Sequence, residues 1–270
     1  MALSTVQPRT FLQLVQDLWR EVGAAGIAPT TTVSQSGELL RLVNYVHDAE
    51  LEIQNLWSDW KFLRKTLSFY TYTNNQTGIF TDNTGSTSAF PADLAEWDYK
   101  TWFLIPPGQT LLQPIQCYEW FEVRDQVFDT VSRAQPWRAI VMPDNTIRWD
   151  LIPDQPYQGQ VEYRSVPYDL KADADVSNIP ARFANRIIVE WARMKYGLFE
   201  NAAEQYNNGK TAVYGVVSDD GIVKMPGLLA QLENDQLPNK KNARLSQGAE
   251  IVVGGASGSD GSYDYYGGAY

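Results

Sequence analysis

The sequence predicts an α+β protein, in which N-terminal and C-terminal helices form a bundle, a β-rich insertion lies between them, and an extended arm follows. Three observations support this fold class. Apolar residues recur with helical spacing in residues 1–60, alternate with a period of two within residues 61–174, and return to helical spacing in residues 175–236. Residues 237–270 show no sustained period and end in a stretch rich in Tyr and Gly. Helices segregated at both ends of a strand block are typical of the α+β class.

The first predicted helix covers the segment TFLQLVQDLWREVG. Its apolar residues share one helical face, and Thr10 and Gln13 have the spacing of a capping box. Gly23 supplies the stop signal. The second and clearest helix lies in SGELLRLVNYVHDAELEIQNLWSDW, where Ser36 can cap the start and the apolar face ends at Trp60. We expect Trp60 to be buried at the turn into the first strand.

The β-rich insertion begins with RKTLSFYTYT, in which β-branched and aromatic residues alternate between two faces. EWDYKTWFLI is interpreted as one further strand, and CYEWFEVRDQVF as a short helix. WRAIVM and IRWDLI form a predicted hairpin, with Pro143, Asp144 and Asn145 in its turn. QGQVEYRSVP closes the insertion.

Helical spacing returns in IPARFANRIIVEWARMKYGLFENAAEQYNNG. Pro180 lies near the first turn of this helix, where proline is tolerated. Gly197 is expected either to kink the helix or to end it, because glycine is unfavourable in a helix interior. KMPGLLAQLENDQ predicts a last and shorter helix.

Charge and composition exclude several classes of protein. The net charge of −10 argues against a general nucleic-acid or anionic-membrane binder, since those proteins use basic patches. Cys117 is the only cysteine and His47 the only histidine, so neither an intrachain disulfide nor a zinc site of Cys and His is expected. No apolar stretch is long enough to span a membrane, and the N-terminal residues lack a secretory signal pattern. We therefore expect a cytosolic protein without membrane partners.

Sequence motifs for catalysis or cofactor binding are absent. The chain contains neither a glycine-rich phosphate loop nor a G-x-S-x-G nucleophile elbow in a strand–turn–helix context. His47 falls on the polar face of its helix, which makes it a poor candidate for a catalytic base. DLKADADVSN lacks the glycine and the closing glutamate of a calcium loop, so its aspartates are interpreted as turn formers. We expect no enzyme activity, no cofactor and no metal.

The aromatic content supports one alternative. Nine tryptophans could stack on sugars, and a pair of carboxylates could cleave a glycosidic bond. Trp19, Trp57, Trp60 and Trp191 nevertheless lie on apolar helix faces or at helix ends, where tryptophan usually belongs to the core. A tail-associated carbohydrate-binding or glycan-cleaving protein is therefore the alternative to a structural role.

Two segments resemble the head–tail adaptor (connector) proteins of tailed bacteriophages. TFLQLVQDLWREVGAAGIAPTTTVSQSGELLRLVNYVHDAELEIQNLWSDWKFLR resembles the N-terminal region of that family, in which a long helix ends in an aromatic turn before a strand. YDLKADADVSNIPARFANRIIVEWARMKYG resembles the return of that family from strands into C-terminal helices. The two segments cover about a third of the chain, and their order and spacing around a variable β-rich insert also match.

The resemblance implies a structural virion protein rather than an enzyme. Such adaptors form a ring beneath the portal, and the twelve-fold portal makes a dodecamer the expected assembly. The partners implied are the portal protein, tail or nozzle proteins and other copies of this chain. DNA would pass through the channel without specific binding. The implied location is the head–tail junction of the virion, after assembly in the host cytoplasm.

The C-terminal arm, residues 237–270, carries the predicted partner-binding residues. Its few apolar residues cannot offset the entropy of ordering it alone, so we expect it to be mobile until it binds the portal or a neighbouring subunit. Aromatic rings can fill clefts on a partner, and basic side chains can pair with an acidic rim. The competing interpretation is a solvated tail. The residues assigned to portal binding are Lys240, Lys241, Arg244, Tyr263, Tyr265, Tyr266 and Tyr270.

Overall fold

The protein has an α+β fold, as the sequence predicts. A computed structural model describes residues 6–81, 87–105, 111–123, 131–217 and 223–237. The helices and strands are, in chain order, α1 (Phe11–Val22), α2 (Gly37–Asn55), β1 (Arg64–Tyr70), β2 (Phe80–Thr81), β3 (Thr87–Ser88), β4 (Leu94–Trp97), β5 (Phe103–Ile105), β6 (Gln113–Pro114), β7 (Gln116–Glu119), α3 (Trp120–Val123), β8 (Arg138–Val141), β9 (Ile147–Trp149), β10 (Gln158–Ser165), α4 (Ala181–Phe199), α5 (Ala203–Tyr214), β11 (Gly215–Val217), β12 (Val223–Pro226) and α6 (Leu228–Gln236).

Helix α1 is capped at both ends as the sequence predicts. The backbone N–H of Gln13 donates to Thr10 Oγ1, and the Thr10 N–H donates to Gln13 Oε1, which completes the capping box. Gly23 follows the helix with φ of 67°, in the left-handed region that glycine adopts readily. The first two helical amides find tertiary acceptors, since Phe11 and Leu12 donate to backbone carbonyls in the segment that precedes α4.

Helix α2 ends at Asn55, before Trp60, although the sequence predicted that its apolar face continues to Trp60. The Trp60 side chain is fully buried, its Nε1 donates to the carbonyl of Ile53 at 3.1 Å, and its ring stacks on Phe62 with centroids 5.3 Å apart. These contacts confirm that Trp60 is buried at the turn into the first strand. Ser36 precedes α2 at the predicted start, but its side chain makes no capping hydrogen bond. The start of α2 therefore lacks the expected Ser36 cap.

The helices contribute most of one large hydrophobic core. Its fully buried residues come from α1, α2, α4, α5 and α6, together with residues of the connecting segments. We call it the helical core. The side chains of this core that have no solvent-accessible surface include Leu14, Leu18, Leu42, Val46, Ile53, Trp60, Ile187, Ile188 and Leu232. Among the described helices, none has the length and apolar content needed to cross a membrane.

Strand β10 organises the main sheet. It pairs antiparallel with β1 on one side and with β4 and β5 on the other, and β6 extends the sheet beyond β5. The predicted single strand EWDYKTWFLI is thus two strands, β4 and β5, separated by a turn in which Thr101 N–H donates to the Asp98 carbonyl. Asp and Thr side chains near this turn offer local hydrogen bonds that compete with a continuous ladder.

A second sheet contains the predicted hairpin of β8 and β9, and β7 adds to β8 in parallel. Asn145 adopts φ of 65° in the hairpin turn, as a turn residue can. The segment CYEWFEVRDQVF was predicted as a helix. Its first residues instead form β7, because they pair with β8, and only the four residues of α3 are helical in the described part of the segment.

Aromatic rings fill the core of the β-rich part, which we call the sheet core. Phe69 stacks on Trp149 with centroids 5.6 Å apart and contacts Trp102 at 5.9 Å. Trp97 lies 5.3 Å from Trp102 and 5.2 Å from Phe80. All five side chains are almost completely buried. Three of the nine tryptophans thus belong to this core and offer no surface for a ligand.

Two glycines let α4 and α5 pack closely. A Cβ atom at Gly197 would lie 2.3 Å from the backbone nitrogen of Tyr206, and one at Gly209 would lie 2.7 Å from the Glu190 carbonyl. Helix α4 continues through Gly197 and ends two residues later, while α5 continues past Gly209 to Tyr214. The helix-breaking tendency of glycine is therefore outweighed by the close approach that it permits between the two backbones.

Substitution of Trp60 by alanine is expected to destabilise the protein by about 3–5 kcal/mol, because it leaves a large cavity and removes the hydrogen bond from Trp60 Nε1 to the Ile53 carbonyl. Chemical denaturation followed by circular dichroism would measure the change. The matched control is Trp137→Ala, which removes an exposed indole and should change the free energy of unfolding by about 1 kcal/mol or less. Equal stability of Trp60→Ala and the parent protein would contradict the anchoring role.

Candidate functional site: two exposed aromatic surfaces

The predicted portal-binding residues all belong to the part of the chain that follows the described residues. Lys240, Lys241, Arg244, Tyr263, Tyr265, Tyr266 and Tyr270 lie outside the ranges that the structure describes. Leu237, the first residue assigned to the arm, is described and is buried in the helical core. The backbone carbonyl of Asp235 accepts a hydrogen bond from Lys61 Nζ at 3.0 Å. The segment after Leu237 therefore starts near the turn that leads into β1.

His47 is half-buried rather than freely exposed. Its Nε2 lies 2.5 Å from Asp169 Oδ1, and its Nδ1 lies 3.4 Å from Asp48 Oδ1. Within the described residues, the hydrogen-bond partners of His47 are carboxylates and not hydroxyl groups. The imidazole thus joins α2 to the segment before α4, and no serine or threonine nucleophile accompanies it there.

Within DLKADADVSN, Asp175 is a turn residue, as the sequence predicts, whereas Asp173 bonds a residue that is distant in the sequence. Asp175 Oδ2 accepts the backbone N–H groups of Lys171 and Ala172, each at 2.7 Å. Asp173 Oδ1 accepts the N–H and the hydroxyl of Thr32, at 2.5 Å and 2.6 Å. These hydrogen bonds lower the pKa of both carboxyl groups. No cluster of three or more His, Cys, Asp or Glu residues suited to a metal occurs in the described ranges.

A groove of about 400 Å³ lies between α4, α5, β11, β12 and the start of α6. Its charged lining residues are Arg186, Glu190 and Arg193. Burial raises the pKa of Glu190, and the nearby Arg193 guanidinium opposes that shift. The Glu190 carboxylate and the Arg193 guanidinium are 3.7 Å apart. Such an ion pair neutralises charge within the groove, and the lining includes no histidine or cysteine.

The first exposed aromatic surface lies where the C-terminal end of α4 meets α2. We call it the helical surface and define it by Arg41, Tyr45, Leu198, Phe199 and Glu200. Leu198 and Phe199 are 73% and 63% exposed. The Arg41 guanidinium lies 5.4 Å from the centre of the Phe199 ring and bonds Glu200 Oε1 at 2.5 Å. Tyr45 contacts the other rings at this end of α4, with its centroid 6.2 Å from that of Phe199.

The second exposed aromatic surface lies on β7 and the start of β8. We call it the sheet surface and define it by Tyr118, Trp137 and Arg138. The Trp137 side chain is 55% exposed. The Arg138 guanidinium lies 4.5 Å from the centre of the Trp137 ring and 6.0 Å from that of Tyr118. The exposed tryptophan is thus covered on one side by a neighbouring cation.

Hydrogen bonds fix the backbone that carries Trp137. Asp150 Oδ1 accepts the N–H groups of both Trp137 and Arg138 at 3.2 Å, and the Trp137 carbonyl accepts the Gln116 N–H at 3.1 Å. Burial raises the pKa of Asp150, although these same hydrogen bonds oppose the shift. The backbone that carries the indole is therefore fixed at the start of β8, so a partner that covers Trp137 does not have to order this backbone.

Both surfaces have the composition of binding hot spots. Energetically important interface residues are enriched in Trp, Tyr and Arg, and exposed apolar groups with polar neighbours commonly mark protein contacts. Sequence reasoning missed both surfaces. No clear signal for either surface exists in the sequence, since adjacent apolar residues such as Ile187 and Ile188 can both be buried on one helix.

Comparison with known proteins found no family model that matches the chain and no curated protein with significant sequence similarity. The arguments for a function therefore come from the resemblance of the two quoted segments and from the chemistry of the exposed surfaces.

Proposed function

We propose that this chain is a structural virion protein, a head–tail adaptor that forms a ring beneath the portal and extends the DNA channel toward the tail. In this proposal, the terminal helices form a bundle, the β-rich residues are an insertion, and the C-terminal arm binds partners. The observation that carries the proposal is the pair of different aromatic surfaces, one beside the helical core and one beside the sheet core.

Two unlike surfaces suit the geometry of a ring. A ring with one kind of contact is heterologous, so each subunit must present two different patches that bind one another. A protein that forms a two-fold dimer needs only one self-complementary patch. We assign the helical surface and the sheet surface as the two halves of the subunit contact. Each offers a guanidinium and an exposed ring, so Arg–aromatic contacts can form in both directions.

The overall charge fits a channel through which DNA slides. The chain carries a net charge of −10, and a ring brings many copies of this charge together. A basic lumen would bind phosphates, whereas an acidic lumen repels them and leaves the DNA free to move. We therefore propose that acidic side chains dominate the lumen. The DNA contacts would then be non-specific and weak.

Variants of the two surfaces test the ring contact. Phe199→Asp and Trp137→Asp should each weaken subunit association by at least about thirtyfold, because hot-spot residues contribute about 2 kcal/mol or more. Both side chains are exposed, so both variants should fold. The readout is the mass distribution of assemblies on the isolated portal ring, measured by mass photometry. Ile27→Asp, at an exposed apolar residue outside both surfaces, is the control and should assemble as the parent does.

A mixture of the two variants gives a sharper test of the heterologous contact. The Phe199→Asp subunit keeps an intact sheet surface, and the Trp137→Asp subunit keeps an intact helical surface. An equimolar mixture of the two variants should therefore form pairs of subunits through the one intact contact. Assemblies of more than two subunits should not form. Complete rings from the mixture, or normal rings from either variant alone, would refute the assignment of these surfaces.

Deletion of residues 238–270 tests the role of the arm while keeping the buried Leu237. The melting temperature should stay nearly unchanged, because the deletion leaves the described core intact. Attachment to the portal should be lost, and replacement of the four arm tyrosines Tyr263, Tyr265, Tyr266 and Tyr270 by serine should reproduce most of that loss. Sedimentation with portal rings would measure attachment. Unchanged affinity of the truncated protein would show that the arm is a solvated tail.

The exposed Trp137 supports the alternative of a tail-associated carbohydrate-binding protein, because sugars stack on exposed indole rings. Retention on host-surface polysaccharide, abolished by Trp137→Ala and accompanied by no portal binding, would favour that alternative. An adaptor should show the opposite pattern, with portal binding and no retention.

A further inference from the structure

Helix α2 buries a carboxyl group beneath the segment that leads into α4. We call residues 166–180, between β10 and α4, the return segment. Glu50 has no exposed surface, and its Oε1 accepts a hydrogen bond from the Ser177 hydroxyl at 3.0 Å. Its Oε2 is buried without a hydrogen-bond partner in the described structure. A buried, half-satisfied carboxylate is costly, so this site favours the neutral acid.

The return segment covers Glu50 and connects α2 with α1. Gln54 Nε2 donates to the Tyr168 carbonyl at 2.9 Å, and the Tyr168 N–H donates to Gln54 Oε1 at 3.0 Å. The backbone carbonyls of Asp173 and Asp175 accept the first two amides of α1, those of Leu12 and Phe11. The segment that covers Glu50 therefore also supplies the acceptors that complete the N-terminus of α1.

The groups around Glu50 set the balance between its two protonation states. Burial raises its pKa from 4.5 to about 7, the Ser177 and Gln54 side chains and His47 lower it, and Asp169 raises it. Three other cationic side chains on the elements packed here are paired with carboxylates. On the return segment, Lys171 bonds Asp169 at 2.9 Å; on α1, Arg20 bonds Asp17 at 2.6 Å; on α4, Arg182 pairs with Asp235.

We propose that Glu50 is the proton-controlled latch of the return segment, which stays closed on α2 while Glu50 is protonated and opens when Glu50 loses its proton to water. The open form hydrates the carboxylate, which the closed form cannot do for Oε2. Since the closed form has the higher affinity for the proton, closure is fully favoured below pH 4.5 and weakens as the pH rises toward 7.

Residue-resolved hydrogen exchange of the full chain tests the latch. The amides of Phe11 and Leu12 report closure directly, because their acceptors lie on the return segment. Their protection factors, corrected for the intrinsic pH dependence of exchange, should fall about tenfold between pH 6 and pH 8.5. Glu50→Gln should keep them high and nearly constant over this range. Glu204→Gln removes one exposed carboxylate from α5 and should respond to pH as the parent does.

Ser177→Ala provides a second variant that does not alter the titrating group. The Ser177 hydroxyl lowers the pKa of Glu50, so its removal should move the midpoint of the protection change to higher pH. A purely structural role of Ser177 would lower protection equally at every pH. Constant protection of the parent between pH 6 and pH 8.5, or an unchanged pH response in Glu50→Gln, would overturn the proposal.

Discussion

The structure depends on the way the chain returns from the sheets to the helices. The chain leaves the helical core after Trp60 and comes back along the return segment, whose backbone completes α1 and whose cover over Glu50 joins it to α2. Gln54 takes the place of a backbone partner for Tyr168. These polar bonds connect parts of the sequence that are far apart, and they position α4 so that its apolar face can close the helical core.

Local sequence patterns were sufficient to predict the helices and strands whose ends depend only on residues within the same segment. The capping box at Thr10, the glycine stop at Gly23 and the alternation in β1 and β10 all occur where the sequence predicts them. The predicted secondary structure was wrong where contacts with a segment distant in the sequence determine the local structure. CYEWFEVRDQVF begins as a strand because β8 lies beside it, and α4 continues through Gly197 because the backbone of α5 lies close to that glycine. Neither partner can be read from the segment itself.

The candidate surfaces were less predictable than the cores, for a related reason. An aromatic residue in an amphipathic pattern is assigned to the core, and this reasoning is correct for Trp60 and Trp191. Trp137 is also a tryptophan, but it is exposed because of its position at the end of the sheet that contains β7 and β8. The arm residues lie outside the described ranges, so the prediction that they bind the portal rests on composition and resemblance alone.

The chain crosses between the helical core and the sheet core twice, before β1 and after β10, and side-chain bonds connect these two crossings. The connection affects any assembly that uses both surfaces. Arg164, near the end of β10, pairs with Asp59 before β1, and the Ser165 hydroxyl donates to the Leu63 carbonyl at 3.2 Å. The helical surface and the sheet surface belong to different cores, so the angle between them is set at these crossings. In a heterologous ring, that angle decides whether the ring closes and with how many subunits. The proposed latch at Glu50 would act on the second crossing, because it holds the return segment against α2. Changes that loosen the crossing should therefore affect ring closure before they affect either surface contact.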